Sequence, residues 1–281
     1  MQKIALITDS ACDLDLNTLK ENNINLLPLR IIYSNGDYRD RIDISPQEVY
    51  DNLEKEVPKT SLPSAQETEE ILNKLEEEGY THVICISISS GLSGSFNALR
   101  LALEDHPKLT SFVYDSKILA YPQGEIVLEV AKLIKEGKSY EEIVREIPEI
   151  RKRVIGYFTI NTLEYLKRGG RIGRLAGTVG ELLNLKPIIT TDEDGVYYNV
   201  AKVRGRKQSL SKMTELLKGY LAKGKCEVAV LHAGCEDEAI KYMNSLKDLT
   251  NVVSIKIAEI SPALGIHGGP GLIGFSVKMV K

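Results

Sequence analysis

The stretch His82-Val-Ile-Cys-Ile-Ser-Ile-Ser-Ser-Gly-Leu-Ser-Gly-Ser-Phe-Asn97 decides how the chain folds. It begins with an apolar, β-branched run, which is typical of a buried strand in a parallel sheet. A loop of serine and glycine follows, and residues 96–104 then have the apolar spacing of a helix. A strand, a Ser/Gly loop and a helix N-terminus together direct unpaired backbone N–H groups at an anion. We therefore expect the anionic group of a ligand at this loop.

The same loop has a second interpretation, in which it is only a tight turn and a helix cap. Ser89, Ser90, Ser93 and Ser95 supply hydroxyls that suit both interpretations, because a hydroxyl can contact an anion or accept from a helix N–H group. The stretch alone does not choose between the two.

The composition is that of an ordinary globular protein, with 43% of the 281 residues hydrophobic and 27% charged. This length suffices for two domains. The formal net charge of −3 argues against nucleic acid as the main partner, since phosphate binding needs clustered positive charge.

The compartment is predicted from three negative features of the sequence. No apolar run reaches the ~18–20 residues that a membrane helix needs, and the first residues enter a strand without a signal-peptide core. The cysteines are far apart in the sequence, so neither a structural zinc site nor a redox dithiol is expected. They are Cys12, Cys85, Cys226 and Cys235. We expect a cytoplasmic protein with no metal and no cofactor.

The fold class is predicted from the order of strands and helices. Residues 1–155 alternate between the two, which indicates a parallel sheet with right-handed crossovers. Strands are predicted at residues 4–7, 26–33, 82–86 and 111–115. Residues 156–281 mix a hairpin around Asp194-Gly195 with further strands and helices. We predict an α/β protein with an N-terminal α/β domain (1–155) and a C-terminal α+β domain (156–281).

Hydroxyl and carboxylate groups follow two predicted elements of the first domain. Thr8-Asp-Ser10 lies at the carboxyl end of the first strand, where ligands collect in open α/β sheets; the alternative is capping of the next turn. Pro63 favours an extended chain before it and Ser64 begins a helix, which leaves Thr60 and Ser61 able to face a pocket. The alternative is that these hydroxyls bond only their own loop.

His267 lies in a segment rich in glycine, between residues 260 and 271, that is predicted to be a loop. A lone histidine more often has a structural role than a functional one. The glycines around it let a backbone approach a ligand closely, and this favours a functional histidine.

These segments resemble the DegV family, bacterial fatty-acid-binding proteins that include the lipid-carrying subunits of fatty acid kinase. The motifs are Thr8-Asp-Ser10, Thr60-Ser-Leu-Pro-Ser64, Ser90-Gly-Leu-Ser-Gly94, Leu163-Glu-Tyr-Leu-Lys-Arg-Gly-Gly-Arg-Ile172, Lys186-Pro-Ile-Ile189 and Ser261-Pro with His267-Gly-Gly-Pro-Gly271. Each is weak alone, but six in family order cover essentially the whole chain. Leu62, Phe96 and Gly268 depart from the family's usual Gln, Tyr and Thr.

The resemblance implies a long-chain fatty acid in a tunnel between the two domains. The carboxylate would be bound by Thr60, Ser61, Ser93, Gly94 and His267. It further implies a protein that is not itself an enzyme and serves phospholipid synthesis. Such a protein presents the carboxylate to a dihydroxyacetone-kinase-like partner for phosphorylation. Arg171 and Arg204 would contact the kinase or the phosphate, although the basic residues 202–207 are equally typical of a solvated helix start.

Two other functions were considered. A serine hydrolase or acyltransferase would use Ser93 as nucleophile and His267 as base, but the final glycine of G-x-S-x-G is missing and no orienting acid is identifiable. A kinase in its own right would need a phosphate-binding loop of the form G-x-x-x-x-G-K-[ST], which the sequence lacks. The carrier is the leading hypothesis.

Overall fold

The computed structural model of the chain describes residues 2–178 and 185–280. The strands are β1 (Ile4–Asp9), β2 (Ile24–Leu27), β3 (Arg30–Tyr33), β4 (Gly36–Arg39), β5 (Lys59–Ser61), β6 (His82–Ser87), β7 (Thr110–Asp115), β8 (Val154–Thr159), β9 (Leu185–Thr191), β10 (Tyr197–Arg204), β11 (Cys226–His232), β12 (Val252–Glu259) and β13 (Ile273–Met279). The helices are α1 (Leu16–Glu21), α2 (Pro46–Asn52), α3 (Ala65–Glu77), α4 (Ser95–Glu104), α5 (Tyr121–Lys135), α6 (Tyr140–Lys152), α7 (Glu164–Arg168), α8 (Arg206–Leu221), α9 (Glu236–Leu246) and α10 (Pro262–Gly268). Two 3₁₀ turns, Ser10–Cys12 and Gly173–Thr178, complete the described elements.

The first sheet is parallel, with strand order β2-β1-β6-β7. Its two faces are covered by different helices, because successive side chains of a strand point to opposite sides. In β6, Val83 and Cys85 pack with α3 and α4, whereas Ile84 and Ile86 belong to the cluster that contains α5. Both faces are therefore apolar, which is why this strand is hydrophobic without alternation.

The second sheet has six strands in the order β10-β9-β8-β13-β11-β12. Only β11 and β12 pair in parallel, and the other neighbours are antiparallel. In β11, Val228 and Val230 pack with α8 and α9, while Ala229 and Leu231 face the opposite side. This mixed sheet is the predicted α+β part of the chain.

Helix α5 lies between the two sheets and contacts strands of both. Ile126, Val127 and Val130 on it are completely buried, as expected of a helix that is enclosed by apolar layers. The predicted α/β fold class with two domains is confirmed. The first sheet lies within residues 4–115 and the second within 154–279, and the boundary near residue 155 stays a prediction.

The predicted strand at residues 26–33 is wrong in one respect, because it is two strands in different sheets. Strand β2 belongs to the parallel sheet, and β3 belongs to a small antiparallel sheet of order β4-β3-β5. Pro28 separates them, since a proline has no N–H with which to continue a ladder. The small sheet pairs Ile31 with Thr60 and so holds the Thr60 segment against the rest of the molecule.

Candidate ligand-binding site

A pocket with polar groups lies near the carboxyl end of β6. It is lined by Leu29, Thr60, Ser61, Leu62, Ile88, Leu92, Ser93, Leu119, Arg171, Tyr197, Ala263, Leu264 and His267, and we call it the polar pocket. Its volume is about 200 Å³. The predicted residues Thr60, Ser61, Ser93, Arg171 and His267 thus meet in one place, although they are far apart in the sequence.

His267 lies on α10, and the prediction of a loop for this segment is wrong. Ser261 caps the helix by accepting from the N–H of Leu264 at 3.4 Å, and Pro262 occupies its first turn. Gly269, with φ of 75°, ends it. The many glycines of this segment obscured the pair Ser261-Pro262, which is a regular signal for the N-terminus of a helix.

The ring of His267 is held on two sides. Its Nε2 lies 2.7 Å from Oγ1 of Thr60. Its Nδ1 has no hydrogen-bond partner among the described residues and faces Gly169, where an added Cβ would overlap the ring. Gly169 is thus needed for space rather than for backbone freedom, because its φ is an ordinary −75°.

The His267 imidazole is neutral at physiological pH. Burial, with a smaller contribution from the positive charge of Arg171, lowers the pKa of His267 to about 4. A neutral imidazole offers one donor and one acceptor, and Nε2 uses one of these on Thr60, so the ring orients the Thr60 hydroxyl in the pocket without adding a charge.

Arg171 supplies the positive charge of the polar pocket. Its Nε donates to the carbonyl of Leu92 at 3.1 Å and its Nη1 to the carbonyl of Gly169 at 2.7 Å. Both acceptors are neutral, so they orient the guanidinium without cancelling its charge. The pocket is therefore suited to an anion even though its histidine is uncharged.

Ser93 and Gly94 form the start of α4. The Ser93 hydroxyl lies 2.9 Å from the Ser95 hydroxyl and accepts from the Ser95 N–H at 3.3 Å. Gly94 is the N-cap residue, and it contributes backbone rather than a side-chain contact. Ser93 thus faces the pocket with a hydroxyl that already bonds its own helix.

The serine hydrolase alternative is not supported by these contacts. A nucleophile and its base must be within hydrogen-bond reach of each other. Ser93 pairs with Ser95, His267 pairs with Thr60, and within the described residues no hydrogen bond joins Ser93 to His267.

A second cavity adjoins the polar pocket and lies against the second sheet. It is lined by Ile118, Leu119, Ala120, Pro122, Gly156, Tyr157, Phe158, Leu166, Thr190, Thr191, Tyr197, Leu231, Ile260, Leu264, Gly268 and Leu272, and we call it the apolar cavity. Its volume is about 50 Å³, which makes it a narrow space. The hydroxyls of Thr190 and Thr191 are bonded to backbone carbonyls, so the wall is effectively hydrocarbon.

Arg204 lies apart from this site. It is the last residue of β10, is exposed, and lines neither the polar pocket nor the apolar cavity. Close to it in sequence, Arg206 forms an ion pair with Glu238 at 2.9 Å. The proposed contact of Arg204 with a partner stays a prediction.

Asp9 and Ser10 bond other segments of the protein, and the predicted alternative of capping is wrong, because the Asp9 side chain makes no cap hydrogen bond to the next turn. Asp9 is completely buried and accepts from the N–H of Ile88 at 2.8 Å and from Gln123 at 3.0 Å. Ser10 donates to Asp40 at 2.6 Å. The two side chains connect strand ends and do not line the polar pocket.

Two buried carboxylates that the sequence analysis missed hold the start of α10. Asp40 accepts from the N–H of Ala263 and Asp13 from that of Ser261, each at 2.9 Å. Arg41 donates to Asp13 at 3.2 Å. These residues fix the helix that carries His267, and no sequence signal connects them with a segment more than two hundred residues away.

The fold and the site together define a class, an α/β protein with a polar pocket that adjoins an apolar cavity. A family model described as "Uncharacterised protein, DegV family" matches residues 3–279. The chain therefore belongs to the DegV family.

Relatives and solved structures of the same family are similar over the whole length. A DegV domain-containing protein of Clostridium perfringens is 51% identical over 278 residues, with 99% of both chains covered. The crystal structure of DegV, a fatty acid binding protein from Bacillus subtilis, matches with a TM-score of 0.91 at 31% identity and full coverage of both chains. A fatty-acid-binding DegV family protein from Thermus thermophilus matches with a TM-score of 0.92 at 29% identity, covering 99% of this chain and 100% of the other.

Proposed function

We propose that this protein binds a long-chain fatty acid, with the carboxylate in the polar pocket and the acyl chain in the apolar cavity. The observation that carries the proposal is that the two spaces adjoin, with Leu119, Tyr197 and Leu264 in the walls of both. Hydroxyls, a histidine and an arginine in one space and an apolar wall in the other suit an amphipathic ligand with a single anionic head.

The fatty acids bound by the B. subtilis and T. thermophilus relatives support the same ligand class for this chain. The contacts expected for the carboxylate are the hydroxyls of Thr60, Ser61 and Ser93, the backbone at Gly94 and the imidazole of His267. Arg171, which lies at the side of the pocket, would compensate the negative charge of the carboxylate. We expect no cofactor and no metal in this role.

The carrier would present its ligand to an ATP-using fatty acid kinase in the cytoplasm. Ser61 and Leu62 line the polar pocket and are exposed, so the carboxylate would lie at the end of the cavity that reaches the surface. A carboxylate oxygen would attack the γ-phosphorus of ATP, giving an acyl phosphate and ADP. No described helix is both long and apolar enough to cross a bilayer, which fits a carrier that is not anchored by such a helix.

Mass spectrometry of an organic extract from gently purified protein tests the ligand. The expected result is a long-chain fatty acid in stoichiometric amount. Protein that carries no lipid and also fails to bind added stearic acid would contradict the proposal.

The presentation step is tested separately, with protein loaded with radiolabelled fatty acid, ATP and a candidate kinase from the same organism. Acyl phosphate should form only when all three are present. A charge-reversed Arg171→Glu variant that still binds the fatty acid should lose most of the phosphorylation. If the loaded protein yields no product with the kinase, the carrier role stands without a phosphorylation step.

A further inference from the structure

The loop that follows β6 is in close contact with the turn of the β9–β10 hairpin. The hydroxyl of Ser89 donates to the carbonyl of Gly195 at 2.8 Å and accepts from the N–H of Gly91 at 3.1 Å. Ser89 is completely buried, although it lines neither the polar pocket nor the apolar cavity. We call the contact of Ser89 and Gly91 with Asp194 and Gly195 the clasp. It joins a loop of the first sheet to a turn of the second sheet.

Two glycines allow the clasp to form. A Cβ atom at Gly91 would lie 2.8 Å from the carbonyl oxygens of Asp194 and Gly195. Gly195 has φ of 76°, and a Cβ atom there would overlap Oγ of Ser89. The two backbones therefore approach more closely than side chains at these positions would permit. This contact explains the glycine at position 91 of the Ser90-Gly-Leu-Ser-Gly94 motif without a ligand.

The turn is also held in shape on its own side of the clasp. Oδ1 of Asp192 accepts from the N–H groups of Asp194 and Val196, each at 3.0 Å. The carbonyl of Asp192 accepts from the N–H of Gly195 at 2.9 Å. Bonds from an aspartate to the backbone just after it are a regular way to stabilise a turn. The Gly195 carbonyl is therefore presented to Ser89 by a turn that is already ordered.

Hydrogen bonds lead from the clasp into the polar pocket. The carbonyl of Ser89 accepts from the N–H of Leu92 at 3.0 Å and from the N–H of Ser93 at 3.1 Å. The carbonyl of Leu92 accepts from Nε of Arg171 at 3.1 Å. Ser89 is thus bonded directly to the backbone of Ser93, and Leu92 connects it with the guanidinium. A displacement of Ser89 would be passed to both of these polar groups.

We propose that Ser89 and the Asp194-Gly195 turn are positioning residues for the carboxylate of the ligand. They lie outside the pocket and act by setting the places of Ser93 and Arg171, because binding groups are precise only when the residues behind them hold them. Contact between the two domains is therefore needed to recognise the anionic head, whereas the acyl chain can still bind when the clasp is broken. This inference rests on the proposed function and adds to it residues that line neither space.

The Ser89→Ala variant of the full-length protein tests the clasp. It leaves the carbonyl of Gly195 and the N–H of Gly91 without their partner. The dissociation constant for stearic acid should rise about tenfold, and that for octadecanol, which has the same chain without the carboxylate, less than about threefold. Isothermal titration measures both ligands. The NMR signal of bound stearic acid labelled with ¹³C at its carboxyl carbon should move, which loss of stability alone would not cause.

A second variant disturbs the clasp from the side of the turn. Gly195→Ala places a Cβ atom against Oγ of Ser89 and should produce the same selective loss of stearic acid binding. The matched control is Gly137→Ala, because Gly137 has φ of 75° and an added Cβ there has no atom within 4 Å. This control carries the same backbone strain and should leave both affinities unchanged. Selective loss in Gly137→Ala as well would assign the effect to strain and overturn the proposal.

A third pair of variants changes the turn and leaves every clasp residue in place. Asp192→Ala removes the acceptor of two N–H groups of the turn, and it should weaken stearic acid binding about threefold with little change for octadecanol. Asp192→Asn keeps an acceptor oxygen at the same position and should bind both ligands like the wild type. Equal losses of stearic acid binding in the two variants would contradict a role of the turn.

The outcomes are distinguishable from failure of the proposed function. If the wild-type protein binds no stearic acid, the proposed function is wrong and this inference falls with it. If the wild type binds stearic acid but Ser89→Ala and Gly195→Ala weaken both ligands by the same factor, with the carboxyl signal unmoved, the proposed function stands and the clasp only stabilises the fold. Selective loss in both variants together with a moved carboxyl signal would support the positioning role.

Discussion

The polar pocket and the apolar cavity meet at three residues but are built from opposite chemistry. In the polar pocket, His267 and Ser93 are neutral groups that already have hydrogen-bond partners, Thr60 and Ser95. In the apolar cavity the wall is continuous hydrocarbon, with its threonine hydroxyls bonded to carbonyls. We therefore expect the apolar cavity to supply most of the binding free energy of a ligand and the polar pocket to orient it.

The first way to test this division is to shorten the ligand at its apolar end. Replacing stearic acid by decanoic acid removes eight methylenes, which at ~0.8 kcal/mol each should cost about 6 kcal/mol. That corresponds to a dissociation constant about four orders of magnitude higher. Competition against a fluorescent fatty acid measures it.

The control for that measurement keeps the tail and changes the head. Octadecanol retains all the methylenes and lacks the carboxylate, so its binding should weaken by only about 1–3 kcal/mol. The opposite result would be a dissociation constant for decanoic acid within tenfold of that for stearic acid, together with no binding of octadecanol. The carboxylate, rather than the acyl chain, would then supply most of the affinity.

A smaller effect is expected from one substitution in the polar pocket, Gly169→Ala. Its Cβ would overlap the ring of His267, and overpacking of this kind typically costs about 1–3 kcal/mol. The affinity for stearic acid should fall about tenfold to a hundredfold, and that for octadecanol should change little. Isothermal titration with both ligands provides the comparison.

Gly219→Ala is the matched control, because Gly219 lies in α8 and an added Cβ there has no atom within 4 Å. It should leave both affinities unchanged and stabilise the helix by about 0.5–1 kcal/mol. Equal loss of stearic acid and octadecanol binding in Gly169→Ala would mean that the damage extends beyond the His267 ring.

The sequence predicted the fold well because the fold follows from local periodicity. The run at residues 82–86 is apolar on both faces, and the Ser/Gly loop and helix after it follow in the structure as β6 and α4. The errors have local causes too. Pro28 divides a run that reads as one strand, and the glycines around His267 masked the Ser261-Pro262 start of α10.

The candidate site was predictable only in part. Thr60, Ser61, Ser93 and His267 come together in the polar pocket, and their roles toward a ligand stay predictions. The apolar cavity could not be foreseen, because its walls are formed mostly by ordinary apolar residues from several segments. Their importance arises from which segments the two sheets bring together, and periodicity carries no information on that.

A last expected effect concerns the stability of the protein as the pH falls and His267 becomes protonated. Burial and Arg171 lower the pKa of His267 to about 4, from an ordinary 6.5. Between these values the unfolded chain binds a proton that the folded chain does not, so protonation of His267 lowers the free energy of unfolding as the pH falls. The stabilisation is complete above pH 6.5 and is lost as the pH falls toward 4.

Four buried carboxyl groups act in the opposite direction and must be separated from His267. Burial raises the pKa of Asp40 to about 6 and that of Glu125 to about 7, and it also raises the pKa values of Asp9 and Asp13, so the folded chain takes up protons there and gains stability as the pH falls. The difference in unfolding free energy between wild type and His267→Gln cancels these contributions. From pH 7 to pH 4.5 the wild type should lose more stability than His267→Gln, and NMR of the His267 ring should find it neutral at pH 5.5. A pKa near 6.5 for the His267 ring would mean that the ring is as hydrated as a histidine on the surface. The polar pocket and the apolar cavity would then differ only in shape.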